Sequence, residues 1–189
     1  MIIGLTGKNA AGKGESAKHL ERKGFEYFSL SDELREEATK RGIGHGREAM
    51  ISLGNELRST HGAGYLASAI NRKIEPLRKQ GKTEFVVDSI RSPGEVGELR
   101  KNRDFILVGI EARAELRFER MKRRGRQGDA QTLEEFTAHE QKENTCNESG
   151  QQLDKCLSMA DALVENNGTL EELHKKMDNV VEMNKAEGG

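Results

Sequence analysis

The sequence of 189 residues predicts an α/β fold in which a five-stranded parallel sheet is flanked by helices, with residues 1–189 forming one domain. Short apolar segments alternate with longer amphipathic segments, which is the pattern of repeated strand–helix units. Segments such as Phe105–Ile110 are apolar at odd and even positions alike, as expected for strands covered on both faces. Pro76 and Pro93 each stand at the edge of a helical segment.

The elements follow one another in a regular order. Five short apolar segments are the predicted strands: Ile2–Thr6, Phe25–Leu30, Glu84–Asp88, Phe105–Ile110 and Ala162–Glu165. Seven amphipathic segments are the predicted helices: Gly12–Lys23, Asp32–Arg41, Glu48–His61, Leu66–Lys79, Gly94–Asn102, Ala114–Arg124 and Leu170–Met183. The helical segments between the second and third strands predict a helical, acceptor-binding insertion at about residues 32–80. The basic-then-polar stretch Lys122–Asp129 contains two glycines and predicts a mobile loop, part of a short lid at about 120–133.

Composition limits the classes of partner. Lys and Arg number 31 against 32 Asp and Glu, so the net charge is −1, and aromatic residues make up only 4% of the chain with no Trp. A protein that coats nucleic acid is normally basic or rich in stacking aromatic residues, so we expect no nucleic-acid partner and only a local anion site. No apolar run is long enough for a membrane span, and the first residues have the pattern of a strand, so we expect a cytoplasmic protein without a membrane partner. Cys146 and Cys156 are too few for a disulfide framework and are predicted to be reduced thiols.

The strongest functional motif lies between the first strand and the first helix. Gly7-Lys-Asn-Ala-Ala-Gly12-Lys13 fits the pattern G-x-x-x-x-G-K, in which glycines turn backbone N–H groups toward phosphate oxygens and the lysine reaches the terminal phosphates. A plain glycine-rich turn is the alternative. The predicted nucleotide-binding residues are Gly7, Asn9, Ala10, Ala11, Gly12, Lys13, Gly14 and Glu15.

The residue after the lysine departs from the usual pattern. Gly14 stands where a Ser or Thr hydroxyl would bind Mg²⁺. The next residue, Glu15, is favoured as a carboxylate that complements the helix dipole, with a role at the metal as the alternative. The sequence leaves open whether these two residues support or impair magnesium binding.

These residues resemble a known family. The loop ending in Gly-Lys-Gly is similar to that of adenylate kinase and other nucleoside monophosphate kinases, and the segments Phe28–Arg35, Val86–Arg91 and Arg117–Arg126 resemble their acceptor-binding, strand-end and lid regions. Residues 160–173 are similar to the last strand and helix of dephospho-CoA kinases. The long lid insertion of bacterial adenylate kinases is missing.

The resemblance implies a three-layer P-loop NTPase fold of the nucleotide-kinase type. It also implies ATP and Mg²⁺ as cofactors and a small-molecule phosphate acceptor. In family terms, Arg35 and Arg91 would bind the acceptor monophosphate, although either is more often a surface residue when taken alone.

Two acidic residues are predicted at the carboxyl edge of the sheet. Asp88 ends a buried strand, where a carboxylate can hold Mg²⁺ through water, and a turn or helix cap is the alternative. Asp32 follows another strand and is predicted either as a base or orienting group for the acceptor, or as a helix-capping residue.

A row of arginines follows the fourth strand. Arg113, Arg117, Arg120 and Arg124 are spaced so that a helix aligns them, and Arg123 and Arg126 follow in the loop. We expect Arg120 and Arg124 to contact ATP, where cationic groups stabilise the transferring phosphoryl group. The alternative is a solvated face that Glu115 and Glu119 partly neutralise.

The helical insertion contains the candidates for acceptor specificity. They are Arg47, Asn55 and Arg58, each of which could instead be a surface residue. Gln151, Gln152 and Asn167 could approach the adenine, although a cap or turn role is simpler for Asn167 beside Gly168. The five histidines show no metal-ligand spacing.

Together the motifs predict a P-loop kinase that moves the γ-phosphate of ATP to a nucleoside or deoxynucleoside monophosphate. A dephospho-CoA kinase is the alternative, because the end of the chain resembles that family. A non-catalytic NTP-binding regulatory module is a further alternative from another class, suggested by Gly14 and Glu15. The sequence does not distinguish a monomer from a homo-oligomer.

Overall fold

The computed structural model describes residues 1–125, 128–144 and 150–187, so Arg126 of the predicted lid and Cys146 lie outside the described residues. The strands are β1 (Ile2–Thr6), β2 (Glu26–Ser29), β3 (Phe85–Ile90), β4 (Phe105–Glu111) and β5 (Ala162–Glu165). They form one sheet in the order β2-β3-β1-β4-β5, and every neighbouring pair is parallel. The predicted fold class, a five-stranded parallel sheet flanked by helices, is confirmed.

The helices are α1 (Lys13–Arg22), α2 (Leu30–Lys40), α3 (Arg47–His61), α4 (Tyr65–Lys79), α5 (Pro93–Leu99), α6 (Ala114–Arg124), α7 (Leu133–Glu143), α8 (Leu153–Ser158) and α9 (Leu170–Glu187). Two of them, α7 and α8, lie in segments where the sequence pattern predicted no helix. The α7 helix buries Phe136 but has few other apolar residues, so its periodicity is weak. The α8 helix is only 6 residues long.

The three central strands of the sheet, β1, β3 and β4, are buried on both faces. Ile2, Val87 and Leu107 pack with α2–α5 in one core, whereas Ile3 and Val86 pack with α1 and α9 in the other. Because side chains alternate across a strand, a strand that contributes side chains to both cores must be apolar at odd and even positions. This is the physical reason for the apolar runs in the sequence.

The register brings the ends of three strands together. Thr6 at the end of β1 pairs with Ile90 of β3, and Ser29 at the end of β2 lies opposite Asp88. The segments that follow β1, β2 and β3 therefore leave the sheet at the same edge, where ligands bind in parallel α/β folds.

A third, smaller cluster covers this edge. Met121 of α6 and Phe136 of α7 pack around Ala130, and Ala10 of the loop after β1 packs against them. The α6–α7 pair is thus seated directly on that loop. In the described part of the chain, no helix is both long and apolar enough to cross a membrane.

Candidate active site

The loop between β1 and α1 has a backbone that only particular residues can adopt. Gly7 and Gly12 have φ angles of 143° and 122°. A Cβ at Gly7 would lie 2.2 Å from the Ile110 carbonyl oxygen, and one at Gly12 would lie 2.3 Å from Asn166 Nδ2. Both glycines are therefore required by conformation and by space. Ala10 is also left-handed, with φ of 57°.

Three side chains from outside the loop hold it in place. Asn166, just after β5, donates from Nδ2 to the Ala11 carbonyl at 2.8 Å. Arg117 donates from Nη1 to the Asn9 carbonyl at 3.3 Å, and Arg120 donates from Nη2 to the Asn166 carbonyl at 3.0 Å. The Asn9 and Ala11 carbonyls of the loop are therefore tied to α6 and to the segment after β5, and Arg120 acts on the loop through Asn166.

Lys13 folds back onto the loop. Its Nζ donates to the carbonyl oxygens of Gly7 at 2.7 Å and Lys8 at 3.0 Å. Burial lowers the pKa of Lys13 to about 8, against the opposing effect of the Asp88 carboxylate. An amine that has lost this much solvation gains strongly from an anionic ligand.

Asp88 lies on β3 and is 8% exposed. Its Oδ1 accepts a 2.5 Å hydrogen bond from the Ser89 backbone N–H, and burial raises its pKa in spite of the nearby Lys13 charge. Ser89 itself has a left-handed φ of 67°. Strained backbone next to a buried carboxylate is typical of a functional site.

The residues at this edge fit a magnesium ion held in the manner of phosphoryl-transfer enzymes. Mg²⁺ usually takes one or two carboxylates together with water and substrate phosphates, and a buried carboxylate such as Asp88 gains from a cation. Within the described ranges, no group of three or more His, Cys, Asp or Glu residues could hold a metal ion. Gly14 offers no hydroxyl, and the Ser16 hydroxyl is buried without a hydrogen-bond partner among the described residues.

The contacts of Glu15 favour a role at the helix dipole over a role at a metal ion. Its carboxylate pairs with Lys18, one turn further along α1, at 3.1 Å, and both side chains are exposed. This geometry is the one expected of a first-turn carboxylate that complements the helix dipole.

An open cleft of about 380 Å³ extends from this loop to the helices between β2 and β3. Six cationic side chains line it: Lys13, Arg35, Arg47, Arg58, Arg91 and Arg124. Apolar side chains complete it: Leu30, Leu34, Met50, Ile51, Leu66 and Leu153. The cleft can therefore hold several anionic groups beside an apolar or planar one.

Most of the cleft arginines are paired with carboxylates. Ion pairs join Arg47 to Glu143 at 2.6 Å, Arg58 to Glu95 at 3.3 Å, Arg124 to Asp129 at 3.4 Å and Arg35 to Asp32 at 2.6 Å. Arg91 differs, since its Nη1 donates to the neutral Gln151 Oε1 at 3.3 Å, and burial lowers its pKa.

Comparisons with known proteins show which family the chain belongs to. The family described as AAA domain matches residues 6–137 of the chain. A UPF0200 protein of Pyrococcus horikoshii is 37% identical over 184 residues, which cover 96% of each chain. A UPF0200 protein of Thermococcus kodakarensis is 34% identical over 185 residues, covering 96% of this chain and 97% of the relative. The chain belongs to the UPF0200 family and to the AAA domain family.

Solved structures show that this UPF0200 chain has the fold of P-loop small-molecule kinases. The shikimate kinase of Acinetobacter baumannii, in complex with shikimate, superposes with a TM-score of 0.59 at 18% identity, covering 97% of this chain and 94% of that one. The dephospho-CoA kinase of Campylobacter jejuni gives a TM-score of 0.52 at 15% identity, with 97% and 96% covered.

The structure brings many of the predicted site residues of this UPF0200 protein into one cleft. The residues that line it are Gly7, Asn9, Lys13, Arg35, Arg47, Arg58, Arg91 and Arg124. Ala10, Ala11, Gly12, Gly14 and Glu15 complete the loop and the start of α1.

Four predicted residues lie outside the cleft lining, and Asp88 on β3 is one of them. Asp32 is 58% exposed at its side chain and pairs with Arg35. Asn55 lies behind Arg58 and accepts from its Nη1 at 3.4 Å. Arg120 packs against Asn166, where its Nη1 is buried without a hydrogen-bond partner among the described residues.

The arginine row after β4 is mixed: Arg117 is buried and Arg120 is half-buried, whereas Arg113 and Arg124 are exposed. Arg117 is 5% exposed and pairs with Glu140 of α7, so it belongs to the support of the loop. Asn167 accepts from the Arg113 backbone N–H at 2.9 Å and so ties the segment after β5 to the start of α6.

Sequence reasoning missed the acidic and amide residues that support the site, above all Glu95, Glu140, Glu143 and Asn166. A signal for Glu95 was present, because Ser92-Pro-Gly-Glu95 is a capping-box pattern and the structure has both capping-box hydrogen bonds. A similar pattern, Thr132 with Glu135, marks the start of α7. No local pattern identifies Asn166, since its partner Ala11 is 155 residues away.

Proposed function

We propose that this protein is an ATP-dependent phosphotransferase that moves the γ-phosphate of ATP to a nucleoside or deoxynucleoside monophosphate. The observation that carries the proposal is the cleft that joins Lys13 of the phosphate loop to Arg35 on α2, Arg58 on α3 and Arg91 after β3. Phosphoryl transfer needs donor and acceptor phosphates side by side among cations. The proposed catalytic unit is the whole chain, with residues 32–80 as the acceptor-binding insertion and 120–133 as a short lid.

The phosphate loop is the proposed donor site. Its N–H groups and Lys13 would bind the ATP phosphates, with Lys13 exchanging its two loop carbonyls for phosphate oxygens. Arg124, which lines the cleft, would stabilise the charge of the transferring group. Arg120 would contact ATP through its unpaired Nη1.

Asp88 is the proposed metal-holding residue. It would hold Mg²⁺ through water beside Lys13, and the ion would neutralise charge on the phosphate oxygens. The chain's own contribution is to keep a buried carboxylate at that point and to shield it from bulk water.

Arg35 and Arg91 are the proposed ligands of the acceptor phosphate, with Arg47 and Arg58 beside them and Asn55 orienting Arg58. The apolar side chains of α2, α3 and α4 would contact the remainder of the acceptor. Two guanidinium groups offer bidentate hydrogen bonds that suit a phosphate dianion.

A dephospho-CoA kinase is the second candidate, supported by the likeness in shape to such an enzyme. Its acceptor is a hydroxyl, which requires a general base, and Asp32 was the predicted base. That carboxylate is exposed and paired with Arg35, outside the cleft lining. A phosphate acceptor needs no base, so the position of Asp32 favours the monophosphate.

The decisive experiment measures ADP release from Mg·ATP with nucleoside monophosphates, deoxynucleoside monophosphates, dephospho-CoA and shikimate. Lys13→Ala serves as the control for a contaminating kinase. Turnover of one monophosphate that disappears in the variant is the expected result. Turnover of dephospho-CoA or shikimate alone would identify that compound, and not a monophosphate, as the acceptor. Tight ATP binding without turnover of any compound would favour the regulatory module.

A further inference from the structure

Glu95 lies at the centre of a buried cluster that lines the cleft. Its Oε2 accepts from the backbone N–H groups of Arg91 at 2.7 Å and Ser92 at 3.1 Å. Its Oε1 accepts from Arg58 Nε at 3.3 Å. Glu95 is 1% exposed and Arg58 is 6% exposed, so a carboxylate and a guanidinium are both withdrawn from water.

The cluster connects two separate parts of the chain. Arg91 and Ser92 lie between β3 and α5, whereas Arg58 belongs to α3, 37 residues from Glu95. One carboxylate therefore fixes the backbone of one cleft arginine and the side chain of another. Its Oε2 binds the segment between β3 and α5, and its Oε1 binds α3.

Stability alone does not explain this arrangement. A buried ion pair is often no more stabilising than apolar side chains of similar volume. Within the cluster, one carboxylate, Glu95, lies near two guanidinium groups, those of Arg58 and Arg91. The Arg91 guanidinium donates to a neutral amide, Gln151, and the charges of the Glu143 and Asp88 carboxylates also act on it. Such a cluster is suited to an anion from the cleft.

We propose that Glu95 is a positioning residue that presets Arg58 and Arg91 as a paired subsite for the phosphate of the acceptor. The identification of the anion as the acceptor's phosphate rests on the proposed function. The preset anion subsite itself is argued from the contacts of Glu95 with both arginine residues and does not depend on the proposed function.

Glu95→Gln separates the two contacts. A capping box accepts either Glu or Gln, so the side-chain oxygen of the variant can still accept from Arg91 and Ser92. Its NH₂ group then faces Arg58 Nε, donor against donor, and the contact between Glu95 and Arg58 is lost. The variant thus removes this contact with Arg58 and keeps the cap.

The probe is inorganic phosphate, titrated by calorimetry into the full-length chain carrying Lys13→Ala, so that the phosphate loop contributes less to binding. We expect Arg91→Met and Arg58→Met each to weaken phosphate binding about tenfold, as loss of a charge-assisted contact does. Glu95→Gln is expected to weaken it by a similar factor. In the Arg58→Met background, Glu95→Gln should cause no further loss, because it acts through Arg58.

Ser92→Ala is the matched control for a structural effect. The Ser92 hydroxyl accepts from the Glu95 backbone N–H at 3.3 Å, so its loss weakens the same cap and lowers the melting temperature. Phosphate affinity should stay unchanged in this variant. If Glu95→Gln does not fold, the pair Arg58→Met and Ser92→Ala still tests the subsite.

Unchanged phosphate binding in folded Glu95→Gln or in Arg58→Met would overturn the proposal. An equal loss from Glu95→Gln with and without Arg58→Met would do so as well, since Glu95 would then act independently of Arg58. If the variants show the expected phosphate affinities but the protein turns over no acceptor, the anion subsite is supported and the kinase proposal is contradicted.

Discussion

Single residues with unusual environments lead to the most direct predictions, and Lys13 is the first of these. Burial holds its pKa at about 8, whereas phosphate binding requires the protonated amine. We expect the Kd for ATP to be constant up to about pH 7.5 and to rise about tenfold for each pH unit above 8. Equilibrium titrations between pH 7 and 9.5 measure this directly.

Lys13→Arg is the matched control for this titration. A guanidinium stays charged over the whole range, so its profile should be flat even where its affinity is lower. A parent chain with the same flat profile would contradict the assigned pKa or the role of Lys13.

Ser89 carries strain that a substitution can relieve or increase. Its φ of 67° disfavours branched side chains, while Asn tolerates this region. We expect Ser89→Val to lower the free energy of unfolding by about 1–2 kcal/mol, and Ser89→Asn to change it by less than about 0.5 kcal/mol. Urea denaturation of both variants tests this. Equal stabilities would mean that the left-handed backbone is not strained.

Residues of the site were predictable where their signal is local. Gly7, Gly12 and Lys13 belong to one short motif whose spacing reflects the conformation of a phosphate-binding loop. Asn166 and Glu95 act on residues distant in sequence, so their partners become visible only when the sheet has brought them together.

At the scale of elements, the central strands β1, β3 and β4 were predictable because each contributes side chains to both cores and is therefore continuously apolar. The α7 helix was not, because it is attached to the molecule mainly by Phe136 and by a buried ion pair between Glu140 and Arg117. Charged contacts of this kind leave no hydrophobic periodicity in the sequence.

This attachment of α7 makes a stability prediction. Glu140→Gln leaves the buried Arg117 without its counter-charge, and we expect the free energy of unfolding to fall by about 3 kcal/mol. Because Arg117 also holds the Asn9 carbonyl, ATP affinity should fall in parallel. Denaturant unfolding and ATP titration of the same preparation measure both effects.

Glu119→Gln on α6 is the matched control. Its carboxylate pairs with Arg123 on an exposed helix face at 3.6 Å, so a change below about 0.5 kcal/mol is expected. Similar losses for the two variants would show that Arg117 does not depend on Glu140.

At the scale of the whole molecule, charge is segregated. The chain has a net charge of −1, yet six cationic and three acidic side chains line the cleft among the described residues. The composition predicts that any anion site must be local, but the counts alone did not show where the cationic side chains gather. The arginines come from separate elements, and the parallel register gathers them at one edge of the sheet.

The ion pair between Arg47 and Glu143 joins the two sides of the cleft, since α3 and α7 are 96 residues apart at this contact. Both side chains line the cleft, so an anionic acceptor would compete with Glu143 for Arg47. An exposed pair is worth about 1 kcal/mol at most, which corresponds to about a fivefold change in affinity. We expect Glu143→Gln to tighten acceptor binding by up to about that factor, and Arg47→Met to weaken it.

Glu134→Gln, an exposed change at the start of α7, has the same effect on net charge and controls for long-range electrostatics. The KM for the acceptor in all three variants, at low and at high salt, separates competition from simple charge. Weaker acceptor binding in Glu143→Gln would contradict this competition. It would mean that the ion pair holds the cleft in its binding-competent form, so that loss of the pair lowers acceptor affinity more than the freed Arg47 raises it.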